Sequence, residues 1–382
     1  MINIESLKTI VQQGVAVMHH SAVNHFKAQE WSRQMRMSPF LLVLDSKTLE
    51  RNAPVLEGCG LRYGYHYIDD LLYAHLVGNG RKLIVMYGNC QMHDYYDCMN
   101  RIDSFCMQYD SVYFKYLEYP RWKEDRLESF LQIADVLIYT KESFDARFRD
   151  CSGFVDIFNR DCYKIFIPTY SFRGYFPQTN PYIQQKAEFD IVSEVFNTYH
   201  REDLVLNKMI KAGYTVEDMI CRVKSAECFD VFVIEDLMNT SLLQIEIMDR
   251  VSAVKIGSFI RENYSRKRLF KDPVHMEDSL IYFTTKELME LLGIEVEIEQ
   301  FGTQTVHYFS ELPIYPEVRA YLGEEFSKEN EMTQLRLTEG MIILDLEGYI
   351  RRYCAFCVNA HEIKDSLHID NKKDVVAEWF KL

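Results

Sequence analysis

The sequence contains little glycine or proline and no long uninterrupted apolar run. Its 382 residues include 16 Gly and 9 Pro, which argues against a collagen-like or low-complexity chain. Apolar stretches such as VFVIEDLM and MIILDLEGYI are interrupted by acidic residues, whereas a membrane-spanning helix needs about 20 predominantly apolar residues. We therefore expect a globular chain with no transmembrane segment.

Several signatures of other protein classes are also missing. Neither a Gly-x-x-x-x-Gly-Lys-Ser/Thr loop nor a Gly-x-Gly-x-x-Gly fingerprint occurs, so nothing supports a nucleotide triphosphatase or a dinucleotide enzyme. Cys354 and Cys357 form a Cys-x-x-Cys pair without a second pair at zinc-ribbon spacing, which favours a structural role over a metal site. The sequence begins MINIESLKTIVQQ, which lacks a secretory signal pattern. We expect the ten cysteines to be reduced and the protein to be cytoplasmic.

The charge balance excludes a further class of partner. Lys and Arg total 43 against 57 Asp and Glu, a formal net charge of -14. Such a chain repels nucleic acid and anionic membranes unless it carries a local basic patch. We predict no nucleic-acid partner.

Apolar runs at a regular spacing indicate the fold. Between residues 82 and 167, four runs recur with room for a helix between successive runs: Leu83–Tyr87, Val112–Phe114, Val136–Tyr139 and Lys164–Ile167. Strand and helix alternating at this period predict parallel strands with right-handed crossovers, and hence an α/β fold with a three-layer parallel-sheet core at about 82–180.

The remaining segments complete the predicted organisation. Residues 1–80 are predicted to be an accessory segment, with a possible strand at Phe40–Leu44, and residues 351–382 a C-terminal tail. The main domain is predicted at 81–350, with its α/β core at 81–180 and a helical part at 185–350. The helical patterns are FDIVSEVFNTY, LVLNKMIKAG, VEDMICRVKSA, a long segment from Asp236 to Tyr264, and SLIYFTTKELMELLG.

A cysteine stands where the first strand of this sheet ends. Cys90 follows Gly88 and Asn89 and precedes a helical pattern, so it lies at a strand-turn-helix elbow on the edge of the sheet where ligands usually bind. The start of a helix favours a thiolate, and the side-chain amides of Asn89 and Gln91 are placed to donate to an oxyanion. The alternative is a buried cysteine that serves as a small apolar residue.

A candidate base lies in the helical half. Asp272 and His275 are three residues apart at a predicted helix entrance, which allows the carboxylate to orient the imidazole; the alternative is a capping Asp beside a surface His. The surrounding stretch is rich in cations, including Arg266 and Arg268. With Lys141 and Arg173 on the predicted ligand edge, these side chains predict a phosphate site, unless they form a solvated helix end.

Several segments, in this order and at this spacing, resemble one family. GNCQ at the first strand's end, ADVLIYT, IPTYSFRGYFPQ, and RLFKDPVHMEDSL before a helix ending LLGI are similar to the WcbI-like acetyltransferases of polysaccharide biosynthesis, over about Lys82 to Ile350. The resemblance implies coenzyme A or acetyl-coenzyme A as the cofactor and a saccharide acceptor in capsule or surface-polysaccharide synthesis. It places Cys90, Gln91, Arg173 and His275 in the active-site cleft.

The prediction is therefore acyl transfer from coenzyme A to a saccharide or polysaccharide precursor. The predicted catalytic residues are Cys90, His275, Asp272 and Gln91. The predicted cofactor-binding residues are Gly88, Asn89, Arg173, Tyr170, Lys141, Arg266 and Arg268. Two alternatives stay open, an esterase that removes acyl groups from a saccharide and a non-catalytic subunit that binds coenzyme A or saccharide. A homo-oligomer is also possible.

Overall fold

The structure is a computed structural model that describes residues 61–66, 71–76, 80–115, 131–140, 152–179, 203–302, 311–329, 332–337 and 340–355. The strands are β1 (Leu61–His66), β2 (Leu71–Leu76), β3 (Lys82–Gly88), β4 (Tyr109–Lys115), β5 (Val136–Tyr139), β6 (Tyr163–Phe166), β7 (Met332–Leu337) and β8 (Gly340–Asp345). The helices are α1 (Cys90–Met99), α2 (Asp103–Gln108), α3 (Ser152–Ile157), α4 (Leu204–Lys211), α5 (Val216–Lys224), α6 (Val231–Val251), α7 (Gly257–Asn263), α8 (Asp278–Leu291), α9 (Pro316–Leu322) and α10 (Glu324–Glu329). Residues 346–355 are also helical.

A parallel sheet holds the elements that matter most for function. Within the described part of the chain, four parallel strands pair in the order β4-β3-β5-β6. β3 is buried along almost its whole length, as expected for an apolar strand that is covered on both faces of a sheet. The predicted α/β class and parallel-sheet core are confirmed.

The chain divides into two compact units. The first comprises Met1–Thr169, Val251–Val254 and Ile281–Val306, and contains the parallel sheet. The second comprises Tyr170–Arg250, Lys255–Leu280 and His307–Leu382. One core cluster of the second unit includes Leu206, Val223, Tyr315, Tyr349 and Ile350, all buried.

The predicted helices at LVLNKMIKAG, VEDMICRVKSA and SLIYFTTKELMELLG are present as α4, α5 and α8. The predicted helical segment from Asp236 to Tyr264 is wrong in its middle, because α6 ends at Val251 and α7 begins at Gly257. The Asp249 carboxylate accepts hydrogen bonds from the backbone N–H groups of Ile256 (3.2 Å) and Gly257 (2.7 Å). These two bonds satisfy N–H groups at the start of α7 and so stabilise the break between α6 and α7.

Two antiparallel hairpins were not predicted from the sequence. β1 pairs with β2, and β7 pairs with β8. The predicted strand at Phe40–Leu44 and the predicted helix at FDIVSEVFNTY lie outside the described residues. No helix in the described ranges is long and apolar enough to cross a membrane.

Candidate active site

The predicted elbow forms at the carboxyl end of β3. The strand ends at Gly88, Asn89 is the N-cap of α1, and Cys90 is the first residue of that helix. Cys90 carries a half-buried thiol. It therefore lies at the positive end of a ten-residue helix, the environment that favours a thiolate.

Position 88 has no room for a side chain, so it requires glycine. A Cβ atom at this position would lie 2.7 Å from Met92 Cβ and 2.7 Å from Thr140 Cγ2. Contacts this short are repulsive, so a side chain here would push the start of α1 away from the end of β5. The absence of a side chain at Gly88 thus sets how closely the helix that carries Cys90 approaches the sheet.

Asn89 caps α1 from within the elbow. Its Oδ1 accepts hydrogen bonds from the backbone N–H groups of Gln91 (3.1 Å) and Met92 (3.4 Å). Its Nδ2 donates to Thr169 Oγ1 at 2.8 Å. These contacts give Asn89 a structural role as a helix cap, while the predicted oxyanion role of its amide stays a prediction.

Two threonines and a tyrosine surround the elbow and were not among the predicted site residues. Thr140 follows β5, and its Oγ1 lies 3.3 Å from Thr169 Oγ1. Tyr113, on the neighbouring strand β4, donates its hydroxyl hydrogen toward the carbonyls of Asn89 (2.9 Å) and Gly88 (3.3 Å). Their chain positions after or near the ends of adjacent parallel strands are the signal that could have identified them.

The predicted Asp-His pair is formed in the second unit. His275 Nδ1 lies 2.6 Å from Asp272 Oδ2. Asp272 Oδ1 accepts hydrogen bonds from the backbone N–H groups of Val274 (2.8 Å) and His275 (2.9 Å). Asp272 is fully buried and His275 is 8% exposed. An ionised carboxylate accepts at Nδ1–H, so Nε2 is the ring nitrogen that can take a proton.

A short hairpin-like loop carries this pair, and we call residues 269–277 the histidine loop. Phe270 and Met276 form an antiparallel bridge, and Lys271 N–H donates to the His275 carbonyl at 2.7 Å. The Pro273 carbonyl accepts from Phe172 N–H at 2.8 Å. These main-chain bonds fix the loop on both sides of the imidazole.

Arg268 holds the histidine loop and is not placed to bind a phosphate. Its guanidinium donates to the carbonyls of Phe270 (2.9 Å), Lys271 (2.6 Å) and Leu312 (2.9 Å). It also pairs with Glu277 (3.3 Å) and Glu311 (3.4 Å), and its side chain is 8% exposed. Because its donors are used inside the protein, we remove Arg268 from the predicted cofactor ligands.

Glu277 belongs to the same charged cluster. Burial raises the pKa of its carboxyl group to about 7, and the charges of Arg268 and Lys271 act in the opposite direction. Lys271 is itself buried and pairs with Asp278 at 3.1 Å. Much of the basic stretch seen in the sequence is thus neutralised by acids within the fold.

The other predicted phosphate ligands differ in exposure. Arg266 is exposed at the surface, whereas Arg173 is partly buried and donates from Nη2 to the Thr179 carbonyl at 3.3 Å. Lys141 lies outside the described residues. Arg266 and Arg173 are therefore the two described cations that we retain.

Tyr170 is a core residue. It is fully buried, and its hydroxyl donates to Asp249 Oδ1 at 3.0 Å. The aromatic residues that follow it in the loop, Phe172, Tyr175 and Phe176, are also fully buried. A buried phenol held by the carboxylate that starts α7 stabilises this loop, so we remove Tyr170 from the predicted cofactor ligands.

Comparisons with known proteins identify the family. Residues 83–297 match the family model described as "Polysaccharide biosynthesis enzyme WcbI". The chain belongs to the WcbI family. This range includes both the elbow and the histidine loop, and the resemblance seen in the sequence is confirmed. No curated protein gave a significant match.

A solved structure of WcbI has a similar fold. It aligns with a TM-score of 0.55 at 14% sequence identity, over 79% of this chain and 98% of the solved chain. It is described as a novel polysaccharide biosynthesis enzyme, in its native form without a disulfide bond between coenzyme A and a cysteine. At this identity the likeness establishes the shared fold, and membership of the family rests on the family model.

Proposed function

We propose that this WcbI-family chain transfers an acetyl group from acetyl-coenzyme A to a hydroxyl group of a saccharide or polysaccharide precursor. The observation that supports this most is the 2.6 Å pairing of His275 with the buried Asp272. Such a pair holds an imidazole in the tautomer that takes a proton from a hydroxyl nucleophile. The family's description as polysaccharide biosynthesis enzymes supports a saccharide as the acceptor.

Cys90 either takes the acetyl group or positions it. In the covalent route, the Cys90 thiolate attacks the thioester carbonyl, the bond to the coenzyme A sulfur breaks, and the cofactor leaves as a thiolate that is then protonated. The acceptor hydroxyl next attacks the acetyl-cysteine, its proton passes to His275 Nε2, and the Cys90 thiolate leaves. In the direct route, the acceptor hydroxyl attacks the thioester carbonyl of acetyl-coenzyme A itself, His275 takes the same proton, and the bond to the coenzyme A sulfur breaks so that the cofactor leaves as a thiolate that is then protonated.

The remaining proposed roles concern charge. Gln91 and the backbone amides at the start of α1 would stabilise the oxyanion, and Arg173 and Arg266 would bind phosphate groups of coenzyme A. A solved WcbI structure is described as the native protein without a disulfide bond between coenzyme A and a cysteine. That description supports Cys90 as the residue that contacts the cofactor thiol. Localisation in the cytoplasm and a homo-oligomeric state stay predictions.

The test is an assay with acetyl-coenzyme A and a panel of monosaccharides and disaccharides, read as free coenzyme A thiol and as acetylated sugar by mass spectrometry. Cys90→Ala and His275→Ala should each lower kcat about 100-fold or more. Cys221→Ala, at an exposed cysteine, is the matched control and should leave kcat unchanged. Full activity in both site variants would overturn the proposal.

Other outcomes would redirect the assignment. Release of acetate from acetylated sugars without coenzyme A would identify an esterase. Calorimetric binding of coenzyme A with no turnover of any sugar would identify a binding subunit. Either result would contradict the acetyltransferase proposal.

A further inference from the structure

Asn89 connects the sheet to Cys90 and is held from two directions. From β4, the Tyr113 hydroxyl donates toward the Asn89 carbonyl at 2.9 Å and the Gly88 carbonyl at 3.3 Å. From the end of β6, Thr169 Oγ1 accepts a hydrogen bond from Asn89 Nδ2 at 2.8 Å. Tyr113 therefore fixes the main chain of Asn89, and Thr169 fixes its side chain.

The side-chain contact extends to the helix and to a third strand. With Nδ2 held by Thr169, Asn89 Oδ1 faces the N–H groups of Gln91 and Met92. Thr169 in turn lies 3.3 Å from Thr140, which follows β5. Hydrogen bonds thus connect the ends of β5 and β6, through Asn89, to the first turn of α1. Asn89 is 6% exposed and Thr140 is 3% exposed, and Thr169 between them is half-buried, so water competes little for the Asn89 and Thr140 ends of these bonds.

We propose that Tyr113 and Thr169 are positioning residues that hold the Cys90 thiol in its reactive place. The inference rests on the proposed role of Cys90. Cys90 directly follows the residue that both hydroxyls hold, so its Cα position is set by the same hydrogen bonds. A reacting group must be placed to within a fraction of an ångström, because small misplacements cost large factors in rate.

The test uses single substitutions that remove one hydroxyl each, Tyr113→Phe and Thr169→Val. Hydrogen exchange of the peptide spanning residues 88–95 should become about three- to tenfold faster, the range expected for one lost hydrogen bond. Alkylation of Cys90 by iodoacetamide at fixed pH, followed by mass spectrometry, should slow by a similar factor. Thr169→Ser keeps the hydroxyl and should restore both rates.

Matched controls separate positioning from general stability. Tyr109→Phe removes a hydroxyl at the other end of β4, where Tyr109 stacks on Phe105. Thr179→Val removes a buried hydroxyl that donates to the Phe176 carbonyl, away from α1. Both variants should leave exchange at residues 88–95 and the Cys90 alkylation rate unchanged.

The outcomes distinguish this inference from the proposed function. Unchanged or faster Cys90 alkylation in Tyr113→Phe and Thr169→Val, or unchanged local exchange, would overturn the positioning role whether or not the protein transfers acetyl groups. In an active enzyme, kcat should fall with KM for acetyl-coenzyme A unchanged. A rise in KM alone would also overturn the inference. Absence of transfer by the unaltered protein would count against the proposed function only.

Discussion

The Asp272 carboxylate bonds the His275 ring and the His275 main chain at the same time. Its Oδ2 lies 2.6 Å from the ring Nδ1, and its Oδ1 accepts the His275 N–H at 2.9 Å. The side chain and the backbone of the candidate base are thus both held by one buried carboxylate. This arrangement fixes both the position and the tautomer of the imidazole.

Asp272→Asn should separate these two functions. The amide oxygen can keep the main-chain bonds, but an NH2 group facing Nδ1 favours the tautomer with the proton on Nε2, which cannot accept another. We expect kcat of acetyl transfer to fall about 100-fold or more, with a folded protein. Asp236→Asn, at an exposed position of α6, is the control. Retention of half the kcat would contradict the proposed role of the pair.

Gly88→Ala tests the close approach of α1 to the sheet. The added Cβ would lie 2.7 Å from both Met92 and Thr140 atoms, and overpacking of this kind costs about 1–3 kcal/mol of unfolding free energy. Urea denaturation measures this loss, and iodoacetamide should also modify Cys90 at a changed rate. Gly213→Ala is the control, because its cost arises from a positive φ of 76° in the turn between α4 and α5. It should destabilise the protein without changing the Cys90 alkylation rate.

The sheet and the elbow could be predicted because their signals are local and repeated. Buried parallel strands are continuous apolar runs, and their spacing leaves room for helices. The position of Cys90 followed from the end of β3 alone. The break between α6 and α7 could not be predicted in the same way, because it depends on Asp249 capping N–H groups seven and eight residues further along the chain.

Residue type alone did not separate ligand from structural residues. Arg268 and Arg266 are two positions apart and were given the same role, but one is enclosed by carbonyls and the other is exposed. Tyr170 was predicted to bind the cofactor and is, like its aromatic neighbours, a core residue. Burial depends on tertiary packing, which a single sequence does not show. Tyr113 and Thr169 were missed because a position near the end of a strand indicates the ligand edge but does not show which side chains bond Asn89.

Arg268→Lys and Arg266→Lys should therefore differ in stability. A lysine has one nitrogen and cannot replace a guanidinium that donates to three carbonyls, so we expect Arg268→Lys to lose about 2–4 kcal/mol. Arg266→Lys, at an exposed position, should change the unfolding free energy by less than about 0.5 kcal/mol. Urea denaturation measures the unfolding free energy of both variants. Equal losses would show that the hydrogen bonds of Arg268 to the loop do not stabilise the protein more than the exposed Arg266 does.

Arg266 should contribute to coenzyme A binding although it contributes little to stability. If this exposed guanidinium contacts a phosphate as proposed, Arg266→Ala should weaken binding about two- to fivefold, as expected for a solvent-exposed ion pair. The loss should shrink at high salt because such pairs are screened. Calorimetry at two salt concentrations measures this, with Arg222→Ala on α5 as the control. An unchanged dissociation constant would remove Arg266 from the cofactor site.

Asp203 should make stability depend on pH. It caps α4, accepts the Tyr315 hydroxyl hydrogen at 2.8 Å, and is buried. Burial raises the pKa of its carboxyl group from 3.8 to about 6. Between these values the folded chain binds a proton that the unfolded chain does not. The stabilisation is thus complete below about pH 4 and is lost as pH rises through 6.

Comparison with Asp203→Asn isolates this contribution. The amide keeps an oxygen for the α4 cap but does not titrate, whereas all other carboxyl groups titrate equally in both proteins. The stability of the unaltered protein relative to the variant should therefore fall by about 2–3 kcal/mol between pH 4 and pH 7. Urea unfolding at one-unit intervals measures the difference. A constant difference would show that the hydrogen bonds to the carboxylate offset its burial, and a difference that grows in favour of Asp203 as pH rises would show that the Tyr315 hydroxyl and the helix amides stabilise its charged form.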